Sequence, residues 1–181
     1  TGTQQAELLG LTPSTSAGNL SIRADSLHAD NAILDTHATT AFEETQLAGD
    51  ITLNIRDINM VNSQVVATGN GAGGAITINA DRLITDNTKF QTLNVFAPGK
   101  NITFTGKILE LTNGSSWDTS TLFDSRGGDI LVNATDHVSL IGITGSNPLG
   151  EFNPSGLFSN AVFGGAAGNI VVTTPRLTMR E

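Results

Sequence analysis

The sequence predicts an all-β protein, a right-handed parallel β-helix of about six to seven coils that runs through residues 1–181 as a single segment. Three observations predict it. The apolar positions of a repeat return at the same register in copy after copy. The residues within each copy alternate between apolar and polar. The composition favours strands and tight turns over helices, because only 14% of the residues are charged and the chain is rich in Gly, Thr, Asn and Ser.

Each copy of the repeat is anchored on an aliphatic residue that follows a short, mostly Gly-containing step. Successive anchors are 31, 25, 26, 28 and 40 residues apart. The chain is apolar again two residues after each anchor and seven residues after it, except that the fifth copy reaches Val138 one residue late. The residues between are mostly polar, which is the period of a strand with one buried face. The six anchors are Leu20, Ile51, Ile76, Ile102, Ile130 and Ile170.

A single copy has too little apolar surface to be stable alone, so the copies are expected to stack, with each strand paired to its equivalent in the next coil. Each coil then lengthens the rod by about 4.8 Å, the spacing of paired strands. Parallel strands joined in this way take right-handed connections. The fold therefore places Ile51, Ile76 and Ile102 directly above one another.

Two further columns support this stacking. Thr52, Thr77 and Thr103 match one another on the polar side of the predicted strands. Asn tolerates the left-handed backbone region that most residues avoid, so an Asn at one register predicts one bend repeated in each coil. That Asn column comes eleven residues after four of the anchors and consists of Asn31, Asn62, Asn87 and Asn113.

Other repetitive and all-β folds fit less well. An antiparallel sandwich also has short strands, but it does not require the same residue type at the same register in each copy. The blades of a β-propeller take about 40 residues and four strands, and leucine-rich repeats have shorter periods and their own Leu/Asn pattern. The prevailing spacing here lies between these values.

Two longer copies predict irregular excursions near residues 36–48 and 144–167. Within the second excursion, GLFSNAVF (residues 156–163) is expected to return to strand, and Asn147–Pro148 and Asn153–Pro154 are expected to form turns. AELLG (residues 6–10) matches VSLIG (residues 138–142), so the chain is expected to begin within a coil. Natural solenoids close with atypical capping copies, and the sequence shows no recognisable one. The chain is therefore expected to be a fragment of a longer rod.

Composition excludes several classes of function. A formal net charge of −8 argues against a nucleic-acid groove and against an anionic membrane surface. The chain has no cysteine, which excludes disulfides and thiolate metal sites. No apolar run approaches the roughly 18 residues of a membrane-spanning helix.

The sequence contains single residues of the types used in catalysis and metal binding, but no group of them at a functional spacing. It therefore predicts no catalytic residue, no cofactor site and no metal site. The acidic candidates fall at scattered registers and are expected to lie in solvated turns. The histidines lack ligand spacing, and His28 is expected to point outward. These candidates are Asp118, Asp124, Asp129, Asp136 and Glu151, with His28, His37 and His137.

Three other features have structural interpretations. GNGAGG (residues 69–74) lacks the Lys-Ser/Thr ending of a phosphate loop and predicts a turn between coils. Trp117 lies near the register of Val65 and Phe90 and is expected to pack in the core or at its rim and not to form a sugar-stacking platform. Several cations near one bend, with acidic residues among them, predict a mixed, solvated edge. That edge comprises Arg56, Arg82, Lys107 and Arg176 with Asp57 and Asp81.

Residues 127–179 carry the most specific resemblance to a known family. A Gly-Asp-Ile step (Gly128–Ile130), Asn133–Ala134 after the first strand, and Pro154–Phe158 (PSGLF) are all present. In these motifs the chain resembles the repeats of filamentous-haemagglutinin-like exoproteins, in particular the large cyanobacterial ones. The resemblance implies a right-handed β-helical stalk, secretion by the two-partner route through an outer-membrane transporter, and a location at the cell surface or outside the cell.

The expected function is that of a non-enzymatic structural and adhesive stalk segment. The implied partners are the outer-membrane transporter, which would act on a part of the protein outside this chain, and surface glycans or other cells; nucleic acid is not expected. Two alternatives stay open. One is a carbohydrate-active lyase or hydrolase on the same fold, which would need acidic residues in a groove beside residues 144–167. The other is a surface filament that self-associates end to end.

Overall fold

The computed structural model describes residues 6–9, 17–38, 47–146 and 152–181, which form an all-β solenoid of about four turns, built on parallel sheets and without a helix. The expected all-β parallel solenoid is therefore confirmed, and its right hand and its count of six to seven coils stay predictions. The strands, in chain order, are β1 (Ala6–Leu9), β2 (Leu20–Asp30), β3 (Ala32–Asp35), β4 (Ile51–Val61), β5 (Gln64–Val66), β6 (Ile76–Asp86), β7 (Lys89–Gln91), β8 (Ile102–Thr112), β9 (Ser116–Asp118), β10 (Thr121–Phe123), β11 (Ile130–Ile141), β12 (Ile143–Ser146), β13 (Phe152–Pro154), β14 (Gly156–Phe158), β15 (Ala161–Phe163), β16 (Ile170–Thr173) and β17 (Leu177–Arg180).

The long strands form one parallel sheet, sheet 1, in the order β16-β11-β8-β6-β4-β2, with β17 also paired to β11. Ile51 pairs with Ile76, and Ile76 pairs with Ile102, as the repeat predicts. All three side chains are fully buried. The extra residue of the fifth copy is accommodated by a register shift between Ala134 and His137, a β-bulge that brings the next apolar position back into line.

The short strands form a second parallel sheet, sheet 2, in the order β1-β3-β5-β7-β9-β14. Its inward column runs through Leu34, Val65, Phe90 and Trp117, all buried. The expected match of residues 6–10 with 138–142 is wrong, because β1 pairs in register with β3 and therefore belongs to sheet 2. The short motif fitted both sheets because each presents the same apolar alternation.

The third side of the solenoid is narrower. It consists of single parallel bridges that join Ala38, Gly69, Asn94 and Thr121, followed by the pair β10–β15. Its backbone groups still bond from coil to coil; for example, the Gly69 N–H donates to the Leu93 carbonyl oxygen over 3.1 Å. Sheets 1 and 2 and this third side together enclose one continuous apolar core.

The second irregular excursion, near 144–167, leaves the solenoid through an antiparallel pair, β12 and β13. The return to strand in residues 156–163 is confirmed, as β14 on sheet 2 and β15 on the third side. Asn153 and Pro154 lie in β13 and not in the expected turn, because the excursion is long enough to form its own hairpin. Asn147–Pro148, and residues 39–46 of the first excursion near 36–48, lie outside the described residues.

The predicted bend between sheets 1 and 2 is confirmed. Asn31, Asn62, Asn87 and Asn113 all have positive φ, between 45° and 51°. Directly after this bend, buried hydroxyl groups connect the coils. Ser63 Oγ accepts from the Ala32 N–H over 3.1 Å and donates to the Val61 carbonyl oxygen over 2.7 Å. Polar residues are therefore tolerated inside this corner, since each satisfies a backbone group.

The step before each anchor also has a structural cause. A Cβ atom at Gly74 or Gly128 would overlap the backbone of the neighbouring coil, so the coils approach too closely there for most side chains. The residue that follows is Asn or Asp in most copies, and its side-chain oxygen accepts a backbone N–H from the next coil. These bonds join Asn19 to Asp50 (2.8 Å), Asp50 to Ala75 (2.8 Å), Asn101 to Asp129 (2.9 Å) and Asp129 to Asn169 (2.7 Å).

Candidate functional site

Sheet 1 presents regular columns of polar side chains to solvent. Thr52, Thr77 and Thr103 stand opposite one another in three neighbouring strands. Beside them, Asn79 Nδ2 donates to Asn54 Oδ1 over 2.8 Å. These columns present neutral donors and acceptors at the spacing of the strands, which suits many weak hydrogen bonds to a polar partner.

A polar groove lies where the Asn bend meets the hairpin excursion. It has a volume of about 340 Å³. The Asn87 Nδ2 group donates to Asn62 Oδ1 over 2.9 Å along its wall. Its lining contains amides, hydroxyls and one ammonium group. The lining residues are Asn62, Ser63, Gln64, Asn87, Thr88, Lys89, Gly114, Ser116 and Asn153.

The acidic candidates have separate partners along the rod, and the expectation of solvated turns is wrong for Asp118 and Asp136, which lie in β9 and β11. Asp118 accepts a short hydrogen bond from Ser120 Oγ. Asp136 lies 3.3 Å from the Arg176 guanidinium, and Asp124 is exposed with a φ of 22°. Glu151 lies outside the described residues. Asp129 is the most constrained of the set, because it binds both the Arg126 guanidinium and a backbone N–H.

The electrostatics of Asp129 follow from these contacts. The hydrogen bond from the Asn169 backbone N–H, together with that from Arg126, lowers the pKa of the Asp129 carboxyl group below its ordinary value. Charge-assisted bonds favour the ionised form in this way. The lowered pKa therefore has a structural explanation in one bond between coils and one ion pair within a coil.

The histidines occupy three different places. His28 is exposed, as predicted. His37 Nδ1 lies 2.6 Å from Asp35 Oδ2, and His137 Nε2 lies 3.1 Å from Glu110 Oε1. Among the described residues, no three His, Asp or Glu side chains form a group that could hold a metal ion.

The remaining sequence features lie where they were expected. Residues 69–74 turn from the third side towards sheet 1, and the Gly73 N–H donates to Asn94 Oδ1. Trp117 is fully buried, with its ring 5.5 Å from that of Phe90, which confirms core packing. The mixed edge is also confirmed: Arg56 Nε lies 3.0 Å from Asp57, and Lys107 Nζ lies 3.1 Å from Asp81, in exposed pairs.

Besides the polar groove, an aromatic surface was missed by the sequence analysis. Phe96, Phe123 and Phe163 stack in neighbouring coils on the third side, and they form a column that we call the phenylalanine stripe. Its signal in the sequence is a Val-Phe or Leu-Phe pair shortly before the step that precedes an anchor, as in NVF, TLF and AVF. Strand periodicity alone does not detect it, because the third side has few regular strand residues.

Comparisons of the chain with protein-family models, with curated proteins and with solved structures found no match. The resemblance to haemagglutinin-like exoproteins therefore stays a prediction carried by the motifs themselves. Among the described residues there is no helix of the length and apolarity that crossing a membrane requires.

Proposed function

We propose that the chain is a non-enzymatic structural and adhesive stalk segment of a secreted or surface-displayed exoprotein of the filamentous-haemagglutinin-like kind. In this proposal the chain is a right-handed rod of about six to seven coils and belongs to a protein exported through an outer-membrane transporter. The supporting observation is the continuous pairing of like residues from β2 to β16. It gives a closed apolar interior and an outer surface of repeated polar groups.

The adhesive part of the proposal rests on the polar groove and the Asn and Thr columns. Neutral amides and hydroxyls exchange hydrogen bonds with sugar hydroxyls at little desolvation cost, and many weak contacts along a rod add through multivalency. Lys89 in the groove adds a charged donor. Surface glycans of other cells are the partner that this chemistry suits.

Surface display is tested on the source bacterium with antibodies raised against the chain. Intact cells are expected to bind the antibodies, and external protease is expected to remove the signal. Labelling that requires permeabilised cells would contradict the proposal. Deletion of the partner transporter gene serves as the control for the export route and should abolish the surface signal.

Adhesion is tested on a glycan array with the chain and with the double variant Gln64→Ala/Lys89→Ala, which changes two side chains of the groove. Lys107→Ala, on the mixed edge, is the matched control. We expect glycan binding that falls in the double variant and persists in the control. If the unchanged chain gives no signal above background, glycan adhesion is contradicted and only the spacer role remains.

The enzyme alternative is tested directly. The described acidic candidates Asp118, Asp129 and Asp136 bind different partners. We therefore expect no reducing or unsaturated ends when the chain is incubated with a panel of polysaccharides. Their steady release would overturn the non-enzymatic assignment.

End-to-end association is a second candidate, favoured by the last coil. Ile170, Leu177 and Met179 occupy inward registers but are 45%, 48% and 67% exposed. They line an apolar groove of about 370 Å³. In sedimentation, the apparent molecular mass should then rise with protein concentration, and the variant Leu177→Ser/Met179→Ser should reduce this rise. A strict monomer over a wide concentration range would contradict end-to-end association.

A further inference from the structure

The polar groove differs in charge from the rest of the molecule. The chain has 17 Asp and Glu residues against 9 Lys and Arg, yet none of the described residues that line the groove is acidic. Its one charged lining residue is Lys89, which forms no ion pair with any residue that the structure describes. An ammonium group without an anionic partner is a donor to which an anionic ligand can bind strongly.

The acidic residues that follow or precede the groove in the chain are bound elsewhere. Asp86 Oδ2 accepts from Asn113 Nδ2 over 2.7 Å. Asp118 accepts a hydrogen bond from Ser120 Oγ. By contrast, the cations of the mixed edge lie beside carboxylates, as Lys107 does. The unpaired ammonium group is therefore a property of the groove.

The neighbours of Lys89 in the adjacent coils are neutral. Gln64, Lys89 and Ser116 stand opposite one another in β5, β7 and β9, so they form a column on one wall of the groove. Neighbouring members are separated by about 4.8 Å, the spacing of paired strands. An anion at Lys89 thus has an amide donor on one side and a hydroxyl donor on the other, with no carboxylate between them.

The groups that the groove offers to a ligand are mainly donors. Ser63 Oγ and Thr88 Oγ1 each donate to a backbone carbonyl oxygen, over 2.7 Å and 3.0 Å, so these two hydroxyls are used within the solenoid. Asn62 Oδ1 accepts from Asn87, which leaves the Asn62 Nδ2 group to donate to a ligand. A ligand rich in acceptors therefore matches the groove better than one rich in donors.

The size of the groove limits the ligand. Its volume of about 340 Å³ lies near the lower end of the range of about 300–1,000 Å³ for small-molecule sites. It extends over three coils, or roughly 10 Å along the rod. A long polyanion would also place further negative charges on a chain whose net charge is −8. A small ligand with a single negative charge avoids this repulsion.

We propose that the polar groove binds a sugar unit that carries one carboxylate group, a uronic acid. This inference rests on the proposed adhesive function and names the class of sugar that the groove takes. The Lys89 ammonium group and the Gln64 amide donate to the carboxylate oxygens. Asn62 and Ser116 bind the sugar hydroxyls. A neutral sugar makes the second set of bonds but leaves the ammonium group without its partner.

The test compares matched pairs of methyl glycosides by NMR titration of the chain at pH 7 and low salt. The pairs are glucose and glucuronic acid, galactose and galacturonic acid, and mannose and mannuronic acid, so that within each pair only the carboxylate differs. For the best pair we expect the Kd of the acid to be lower than that of the neutral sugar by about fivefold or more. Raising the salt concentration to about 0.5 M should reduce this preference.

Substitutions locate the preference. Lys89→Ala should make the two Kd values of the best pair equal, whereas Lys89→Arg keeps the charge and should keep the preference. Lys100→Ala is the matched control, because it removes the same charge from an exposed lysine outside the groove and should leave the preference unchanged. Circular dichroism checks that each variant folds.

The outcomes separate this inference from the adhesive function. Equal Kd values within every pair overturn the inference, while binding of both members keeps glycan adhesion. A preference that survives Lys89→Ala also overturns it. If acetate binds as tightly as the best acid, the groove is a site for any small carboxylate and the sugar assignment is overturned. If no glycoside binds, the inference is overturned, and the glycan array still decides adhesion.

Discussion

Asn87 shows how one residue type determines a bend in this protein. Its φ of 45° lies in the left-handed region, where a Cβ-bearing residue normally loses about 1–2 kcal/mol. Asn reduces this loss through local hydrogen bonding, and Asn87 also donates to Asn62 in the coil beside it. The bend column thus combines backbone conformation with a side-chain bond.

The two contributions can be separated by substitution at this position. Asn87→Ala is expected to lower the free energy of unfolding by about 1–2 kcal/mol, because Ala resists positive φ and lacks the amide. Asn87→Gly removes the amide but accepts the conformation, so its loss should be smaller. Urea unfolding measures both; equal losses would show that the backbone conformation contributes nothing.

Asp129 predicts a pH dependence. Its pKa is lowered in the folded state by the Asn169 N–H and Arg126. The unfolded chain therefore binds the proton more readily, and stability rises with pH across this range. The stabilisation that ionised Asp129 gives to the folded state is complete above the unfolded pKa of about 3.9. It is lost as the pH falls through the lower pKa of the folded state.

Urea unfolding of the protein and of Asp129→Asn, followed from pH 6 towards pH 3, measures this contribution. The difference in unfolding free energy between the two should shrink as the pH falls. Thr103→Ala, which removes no titratable group, is the control, and its difference from the unchanged protein should stay constant with pH. A difference that grows on acidification would contradict the assigned bonds.

At the scale of the strand, inward and outward positions differ sharply. Ile78 is fully buried in β6, while its neighbour Thr77 is only partly buried and lies on the outward side. Ile78→Asp is expected to lower the unfolding free energy by several kcal/mol, about 4 or more, because an unpaired carboxylate enters a dry core.

Thr77→Asp is the matched control for this prediction. It introduces the same charge one residue away on the solvent side, and a loss of about 0.5 kcal/mol or less is expected. Thermal unfolding compares the two variants. An unchanged melting temperature for Ile78→Asp would contradict the inward assignment of the whole column.

The sequence predicted the long strands, in which the alternation of apolar and polar residues returns in each copy of the repeat. The anchors, the Asn bend and the late Val138 were all found this way, because periodicity reports directly on burial. Short elements were harder. β1 was assigned to the wrong sheet, since four residues carry too little pattern to distinguish two similar faces. The β12–β13 hairpin was read as turns because its pairing lies within the excursion.

The candidate surfaces were only partly predictable. The Asn and Thr columns follow from strand register, and they were found. The polar groove depends on where the hairpin excursion meets the bend, and the phenylalanine stripe depends on ring contacts between coils. Both arise from side chains distant in sequence, which a single copy of the repeat does not reveal.

At the scale of the whole molecule, stability passes from coil to coil. Each coil contacts mainly its two neighbours, so the solenoid behaves as a nearly one-dimensional array. β6 and β8 are paired on both sides, whereas β16 and β17 are paired only with β11 among the described residues. The inner coils should therefore open less often than the last.

Amide hydrogen exchange tests this gradient. Amides of β6 and β8 are expected to exchange at least about tenfold more slowly than those of β16 and β17, because local opening needs fewer broken contacts at the last coil. The same peptides in denaturant, where exchange is unprotected, provide the control. Uniform protection along the chain would mean that the solenoid unfolds as one unit.

The parallel pairing of sheets 1 and 2 also determines how the rod responds to force. The hydrogen bonds between coils point along the rod, so tension applied to its two ends loads every boundary between coils, and the weakest boundary opens first. Bending is resisted differently, since it strains two sheets and the packed interior together. We expect such a solenoid to be stiff against bending and to lengthen under a strong axial pull by the successive unfolding of its coils.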